Sequence, residues 1–246
     1  MYAILRDNWL LFLVGSYPHG PLGGIAATLL LSAIGIGAGF PASVLLALAQ
    51  LSPLRAVRLP ALWLRYALRS IPLVMLVFGA YFLAPLLMGR AVGSFATMAG
   101  TLTVFEAVYF AEIVRAGIQA LSTGQMEAAS ALGMGYATTM RRIVLPQALE
   151  NALPSIVGQF VTTIKDTSLG YVIGVQEVTY VANQVNNNLL VKPFQVFFDL
   201  SLLYFAICFA LTQAARHLER RRVRRRGAPG AGAARRPTPA MASDQP

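Results

Sequence analysis

The chain has 246 residues, 56% of them hydrophobic and only 12% charged, whereas a soluble globular domain carries about 25% charged residues. That balance excludes an ordinary soluble domain and describes a membrane protein. The net charge of +10 is concentrated at one end, where nine arginines face two acidic residues from Arg216 onward. A basic run directly after an apolar one reads as an anchor at anionic lipid headgroups, not as a nucleic-acid surface.

In chain order, residues 1–21 read as a periplasmic or interfacial segment. Its apolar run, Trp9–Val14, is short, and no basic region or small-residue cleavage site frames it. Trp9, Phe12 and Tyr17 suit a membrane–water boundary. Residues 22–216 follow as a transmembrane domain. A span needs about 20 apolar residues, and five stretches qualify: Leu22–Ala49, Leu62–Met88, Phe95–Val114, Ala152–Val175 and Phe194–Ala215. Gly35 and Gly39 lie four apart in the first, a small-xxx-small pattern that favours packing within the chain. Residues 217–246, rich in Arg, Gly, Ala and Pro, are predicted to be a disordered cytoplasmic tail. Cys208 has no partner for a disulfide, and His19 and His217 lack metal-ligand spacing.

Basic residues set the orientation. Arg55 and Arg58 lie between the first two spans, and Arg115, Arg141 and Arg142 between the third and fourth, against only Arg6, Arg90 and Lys192 on the other side. The positive-inside rule puts the N-terminus outside and the C-terminus in the cytoplasm. The fold class is therefore an all-α membrane protein of about five transmembrane helices, with a cytoplasmic loop over about 115–149.

That loop is polar between apolar neighbours. Residues 124–132 are good helix formers, with Glu127 in the first turn, where the helix dipole favours a negative charge. Gly133 and Gly135 permit positive φ and so can end the helix. A second short helix is expected from about Ala137 to Leu145, with Pro146 restricting its continuation. The pattern runs Glu127-Ala128-Ala129, three residues, Gly133, nine residues, then Ile143-x-Leu145-Pro146. These seven positions at fixed spacing resemble the loop of ABC importer permeases that receives force from an ATPase. Leu68-Arg69-Ser70-Ile71-Pro72-Leu73 and the stretch from Phe105 to Gln119 are similar to segments of polar amino-acid permeases. Leu68 stands where the family usually has Phe.

The resemblance implies a type I importer permease of the bacterial inner membrane, most like a glutamate/aspartate permease subunit. It also implies partners: two ATPase subunits, a second homologous permease or a second copy of this chain, and a periplasmic or tethered substrate-binding protein. Glu127, Ala128, Ala129, Leu132, Gly133, Met134, Ile143, Leu145 and Pro146 would then meet the ATPase. The chain carries no Gly-x-x-x-x-Gly-Lys-Ser/Thr phosphate loop. ATP and Mg are accordingly expected in the partner, with no cofactor and no catalysis in this chain.

Ionisable residues within spans cost about 2.5–3.5 kcal/mol each on insertion scales, so each needs a partner or a hydrated path. Arg69, Ser70, Glu106, Asp166, Thr167 and Ser168 are the candidates for the substrate path. Arg69 would attract an anionic group. Structural polar networks, or a snorkelling Arg65–Arg69 pair, are the competing readings for the same residues. Two other classes stay open: an ATP-independent channel or secondary transporter, and a permease for another polar amino acid. An intramembrane enzyme would need a catalytic motif such as His-Glu-x-x-His or Gly-x-Ser-x-Gly, and none occurs.

Overall fold

The computed structural model describes residues 2–189 and 193–225, with side chains over 4–189 and 193–217. Two short helices, α1 (Tyr2–Asp7) and α2 (Trp9–Val14), precede the long apolar α3 (Gly24–Gln50). The N-terminal segment is only partly a surface element. Trp9 and Tyr17 are exposed, but Phe12 is buried with Val178, Val181 and Val196.

The stretch expected as one span over 62–88 is two helices, α4 (Arg55–Ser70) and α5 (Leu73–Met88), bent by 104°. The cause is local. Ile71 precedes a proline and is pushed out of the helical region to φ −107°, ψ 129°, and Pro72 follows at φ −57°, ψ 140°. Next, α6 (Ser94–Gln119) runs through the middle of the bundle. It packs on α3 at the two glycines. A Cβ on Gly39 would lie 3.0 Å from the Thr103 carbonyl oxygen, and one on Gly35 would lie 3.0 Å from the Leu102 side chain. At Gly39 the missing side chain lets backbone meet backbone, and at Gly35 it makes room for the Leu102 side chain.

The loop contains α7 (Gly124–Ala131) and the single turn α8 (Tyr136–Thr139). A wide π-helical stretch, Met140–Val144, then leads into α9 (Leu145–Asp166). Here the expected stop at Pro146 is corrected, because Pro146 sits in the first turn of α9. The Leu145 N–H reaches five residues back to the Met140 carbonyl. This extra residue per turn relieves the clash a proline ring makes with the carbonyl four residues earlier, and its missing N–H is no loss at a helix start.

After α9 the chain tightens into a 3₁₀ stretch, Thr167–Ile173, then forms α10 (Val178–Leu189) and α11 (Pro193–Arg225). The stretch expected as the fourth span, 152–175, is thus the end of α9 plus the 3₁₀ turn. Among the described residues, three helices are long and apolar enough to cross a membrane: α3, α6 and the Pro193–His217 part of α11. The bent α4–α5 pair makes four if it counts as one crossing. The tail expected from 217 begins as a continuation of α11 to Arg225, and residues 226–246 lie outside the described part.

Apolar clusters knit these helices together. Leu31, Leu102 and Phe105 join Leu73 and Val77 of α5 at one end of α6. Ala47, Val114 and Ile118 join Met140, Val144 and Ala148 at the other. The loop is therefore anchored by its C-terminal half, where α9 begins.

Candidate functional site: an exposed loop and two charged clusters

Helix α7 stands out from the bundle, with nearly all its side chains in solvent. Glu127 and Ala128 are exposed, whereas Ala129 is buried and faces inward. The helix ends in a Schellman motif. The Met134 N–H bonds to the Ala129 carbonyl at 3.0 Å, and the Gly133 N–H bonds to the Ser130 carbonyl at 2.9 Å. Gly133 supplies the left-handed turn at φ +74°, with nothing within 4 Å of the position a Cβ would take. Gly135, expected as a second positive-φ residue, is extended at φ −69°, ψ 154° and starts α8 instead. Just before the turn Leu132 is 80% exposed, and Met126 of α7 and Tyr136 of α8 are also open to solvent. Ile143 is half-buried in the π-helical stretch, and Leu145 and Pro146 open α9. The pattern thus occupies α7, its left-handed exit and the joint where α9 begins.

The path candidates fall into two groups. In the first, Glu106 of α6 is fully buried and accepts a hydrogen bond from Gln159 Nε2 of α9 at 3.0 Å. Among the described residues its other oxygen, Oε1, has no hydrogen-bond partner. Asp166 closes α9 and is half-buried. The Thr167 hydroxyl donates to the Ile164 carbonyl at 2.7 Å, so it serves its own turn, while Ser168 is half-buried nearby.

The second group was not foreseen as a unit. Arg65 and Arg69 both reach toward Glu112 of α6. Arg65 Nη1 donates to Glu112 Oε2 at 3.0 Å, and Arg69 Nη1 lies 3.8 Å from the same oxygen. Arg115 donates to both Glu112 oxygens and, at 2.7 Å, to Gln119 Oε1. Arg69 also sits over the Tyr109 ring, 5.2 Å from its centroid. Ser70 stays outside this cluster, its hydroxyl donating to the Tyr66 carbonyl at 2.7 Å. The i,i+3 spacing of Glu112 and Arg115 was a usable signal, but the Arg65 partnership across 47 residues had none.

Glu177 was also missed. It caps α10, accepting from the Thr179 N–H at 2.9 Å, the Tyr180 N–H at 2.9 Å and the Tyr204 hydroxyl at 3.1 Å. Burial pushes its carboxyl up to about 7 despite these donors.

Residues 39–224 match the family of binding-protein-dependent transport system inner membrane components. The chain belongs to that family. It is a multi-pass transport component of the bacterial inner membrane. Its relatives include the probable glutamine ABC transporter permease GlnM of Bacillus subtilis, 32% identical over 223 residues, covering 89% of this chain and 96% of that protein. The glutamate/aspartate import permease GltK of Escherichia coli O6:H1 is 31% identical, covering 85% of this chain and 96% of its own length. The chain spans only 55% of the E. coli K12 amino-acid permease YhdY, at 32% identity over 81% of this chain. Among solved structures, an amino acid ABC transporter crystallised with histidines superposes with a TM-score of 0.73 at 29% identity, covering 80% of this chain and 92% of that one. The MetNI methionine transporter shares the fold, with a TM-score of 0.66 at 20% identity over 90% and 96% of the two chains.

Proposed function

We propose that this permease is the membrane subunit of an ATP-driven amino-acid importer. The observation that carries the reading is the loop from Glu127 to Pro146. Its exposed helix, left-handed exit and apolar tip form a knob suited to the groove of another protein, on a chain whose family works with binding proteins. Relatives named for glutamine, arginine and glutamate/aspartate support amino acids as the cargo class. Within that class we favour acidic amino acids, because three arginines converge on the single carboxylate of Glu112.

Two ATPase subunits would dock on the loops of this chain and of a second permease, or a second copy of this one. They would carry the ATP and Mg, and a binding protein would deliver cargo from outside. The chain would cross the membrane five times, N-terminus outside, so that the loop reaches the cytoplasm. Closure of the ATPase pair would draw the loops together and switch the path between outward and inward access. Arg69, Ser70, Glu106, Asp166, Thr167 and Ser168 would line that path.

The test is reconstitution. The permease, purified with its co-eluting ATPase and placed in proteoliposomes with the binding protein, should take up an acidic amino acid only with ATP. Uptake that runs without ATP would return the reading to a channel or secondary transporter.

A further inference from the structure

We propose that the outward face of α10, together with Tyr171 of the preceding 3₁₀ stretch, is the surface on which the binding protein lands. The proposal rests on the importer reading above and adds where that partner touches the chain.

The two sides of α10 differ sharply. Val178, Val181, Ala182 and Val185 recur at helical spacing and are buried with Phe12, Val196 and Leu200. Tyr180, Asn183, Gln184, Asn187 and Asn188 recur on the other side, and the last three are exposed. Asn183 donates its amide to the Thr179 carbonyl at 3.0 Å, but among the described residues the amides of Gln184, Asn187 and Asn188 make no hydrogen bond. Asparagine is a poor helix former, because its amide competes for the backbone, yet three run consecutively from Asn186 to Asn188. Solvation alone would be served by stronger helix formers such as Glu or Lys. The asparagines therefore point to a contact outside the chain.

The place of this face fits one partner. At the first residues of α10, the Gly24 N–H donates to the Gln176 carbonyl at 2.9 Å and the Val178 N–H to the Thr28 hydroxyl at 3.2 Å. That is the start of α3. The exposed loop is anchored at the opposite end, against Ala47 and Ile118. With the ATPase on the loop, α10 faces the side from which cargo arrives.

The chemistry selects a protein surface. No Asp, Glu, Lys, Arg or His occurs from Val178 to Leu189, so neither a lipid phosphate nor a charged cargo finds a counter-charge there. Amides set against acyl chains would go unpaired at a cost. Able to donate and accept, they suit the wet, polar contact of a protein that docks and leaves in each cycle. Tyr171 is 40% exposed, and its ring lies 6.3 Å from that of Tyr180, giving the stripe an aromatic end of the kind enriched at interfaces. The mount is firm. Buried Glu177 accepts from the Thr179 and Tyr180 N–H groups and from the Tyr204 hydroxyl of α11, so α10 is fixed to α3 and α11 at once.

The experiment titrates the permease–ATPase complex in nanodiscs with the cargo-loaded binding protein and reads ATP turnover. The double variant Gln184→Arg, Asn187→Arg should raise the half-saturating binding-protein concentration about tenfold or more, with turnover in the absence of binding protein unchanged. Asn187→Gln, which keeps the amide, should stay within about twofold of wild type. An unchanged half-saturating concentration in the double variant overturns the proposal and leaves the importer reading standing. A wild-type complex whose turnover and uptake ignore the binding protein overturns both. If the double variant does not assemble, Asn188→Cys carrying a benzophenone, with the single native cysteine removed as Cys208→Ala, gives the answer. A light-induced adduct with the binding protein supports the assigned face, and adducts with lipid or a second permease alone overturn it.

Discussion

Replacing Gly133 separates backbone geometry from contact at the exposed loop. Its φ is +74°, and no atom lies within 4 Å of a Cβ built there, so alanine meets no steric obstacle inside the chain. The cost is conformational alone, about 1–2 kcal/mol for a non-glycine residue in the left-handed region. That corresponds to a loss of about 5–30-fold in the population of the loop that keeps the Met134-to-Ala129 and Gly133-to-Ser130 bonds. Asparagine tolerates this region, so Gly133→Asn should lose less than about threefold. Glutamate adds bulk and charge beside the apolar tip of Leu132 to the same backbone cost. The assay is cargo-stimulated ATP turnover in proteoliposomes, with co-elution of the ATPase as the check on assembly. The expected order is Gly, Asn, Ala, Glu, with stimulation abolished in Gly133→Glu. Equal stimulation in all four proteins would refute the role given to this turn.

Other substitutions probe the bundle and the path. Gly39→Leu should lower apparent thermal stability by about 1–3 kcal/mol through overpacking against the α6 backbone, whereas Gly37→Leu, with nothing within 4 Å, should not; detergent melting curves compare the two. Asp166→Asn should reduce uptake while co-elution with the ATPase persists, and unchanged cargo affinity, selectivity and rate would remove Asp166 from the path. The Glu177 carboxyl is raised to about 7 in the fold, so the folded chain holds its proton more tightly than the unfolded one. Its stabilising contribution is complete below the ordinary carboxylate range and falls as pH rises to about 7. Glu177→Gln should flatten that decline in melting curves recorded between pH 4.5 and 8.

The features legible in the sequence were those carried by neighbours along the chain. The long apolar runs of α3 and α6 announced themselves by length, and Gly133 announced a helix end by following a run of helix formers. The small-xxx-small pair at Gly35 and Gly39 foretold close packing inside the chain, although not that α6 was the partner. The break at Ile71-Pro72 was written in the sequence, but the apolar residues on both sides masked it as one span. Pro146 misled because a π-helical stretch has no compositional signature, and without it a proline at that point reads as a stop. The Glu112 cluster was invisible for a different reason. Its arginines come from α4 and α6, and only the folded path of the chain sets them on one carboxylate.

Both acidic groups, Glu106 and Glu112, ride on α6, while the groups they hold across the bundle belong to different elements. Gln159 is on α9, and Arg65 and Arg69 are on α4. With α6 as the stationary post, displacement of α9 would release the Glu106–Gln159 bond and leave the arginine pairs closed. A swing of α4 about its bend would do the reverse. The bundle therefore holds α6 to its neighbours by two separate polar contacts, one to α9 and one to α4, and either can part without the other.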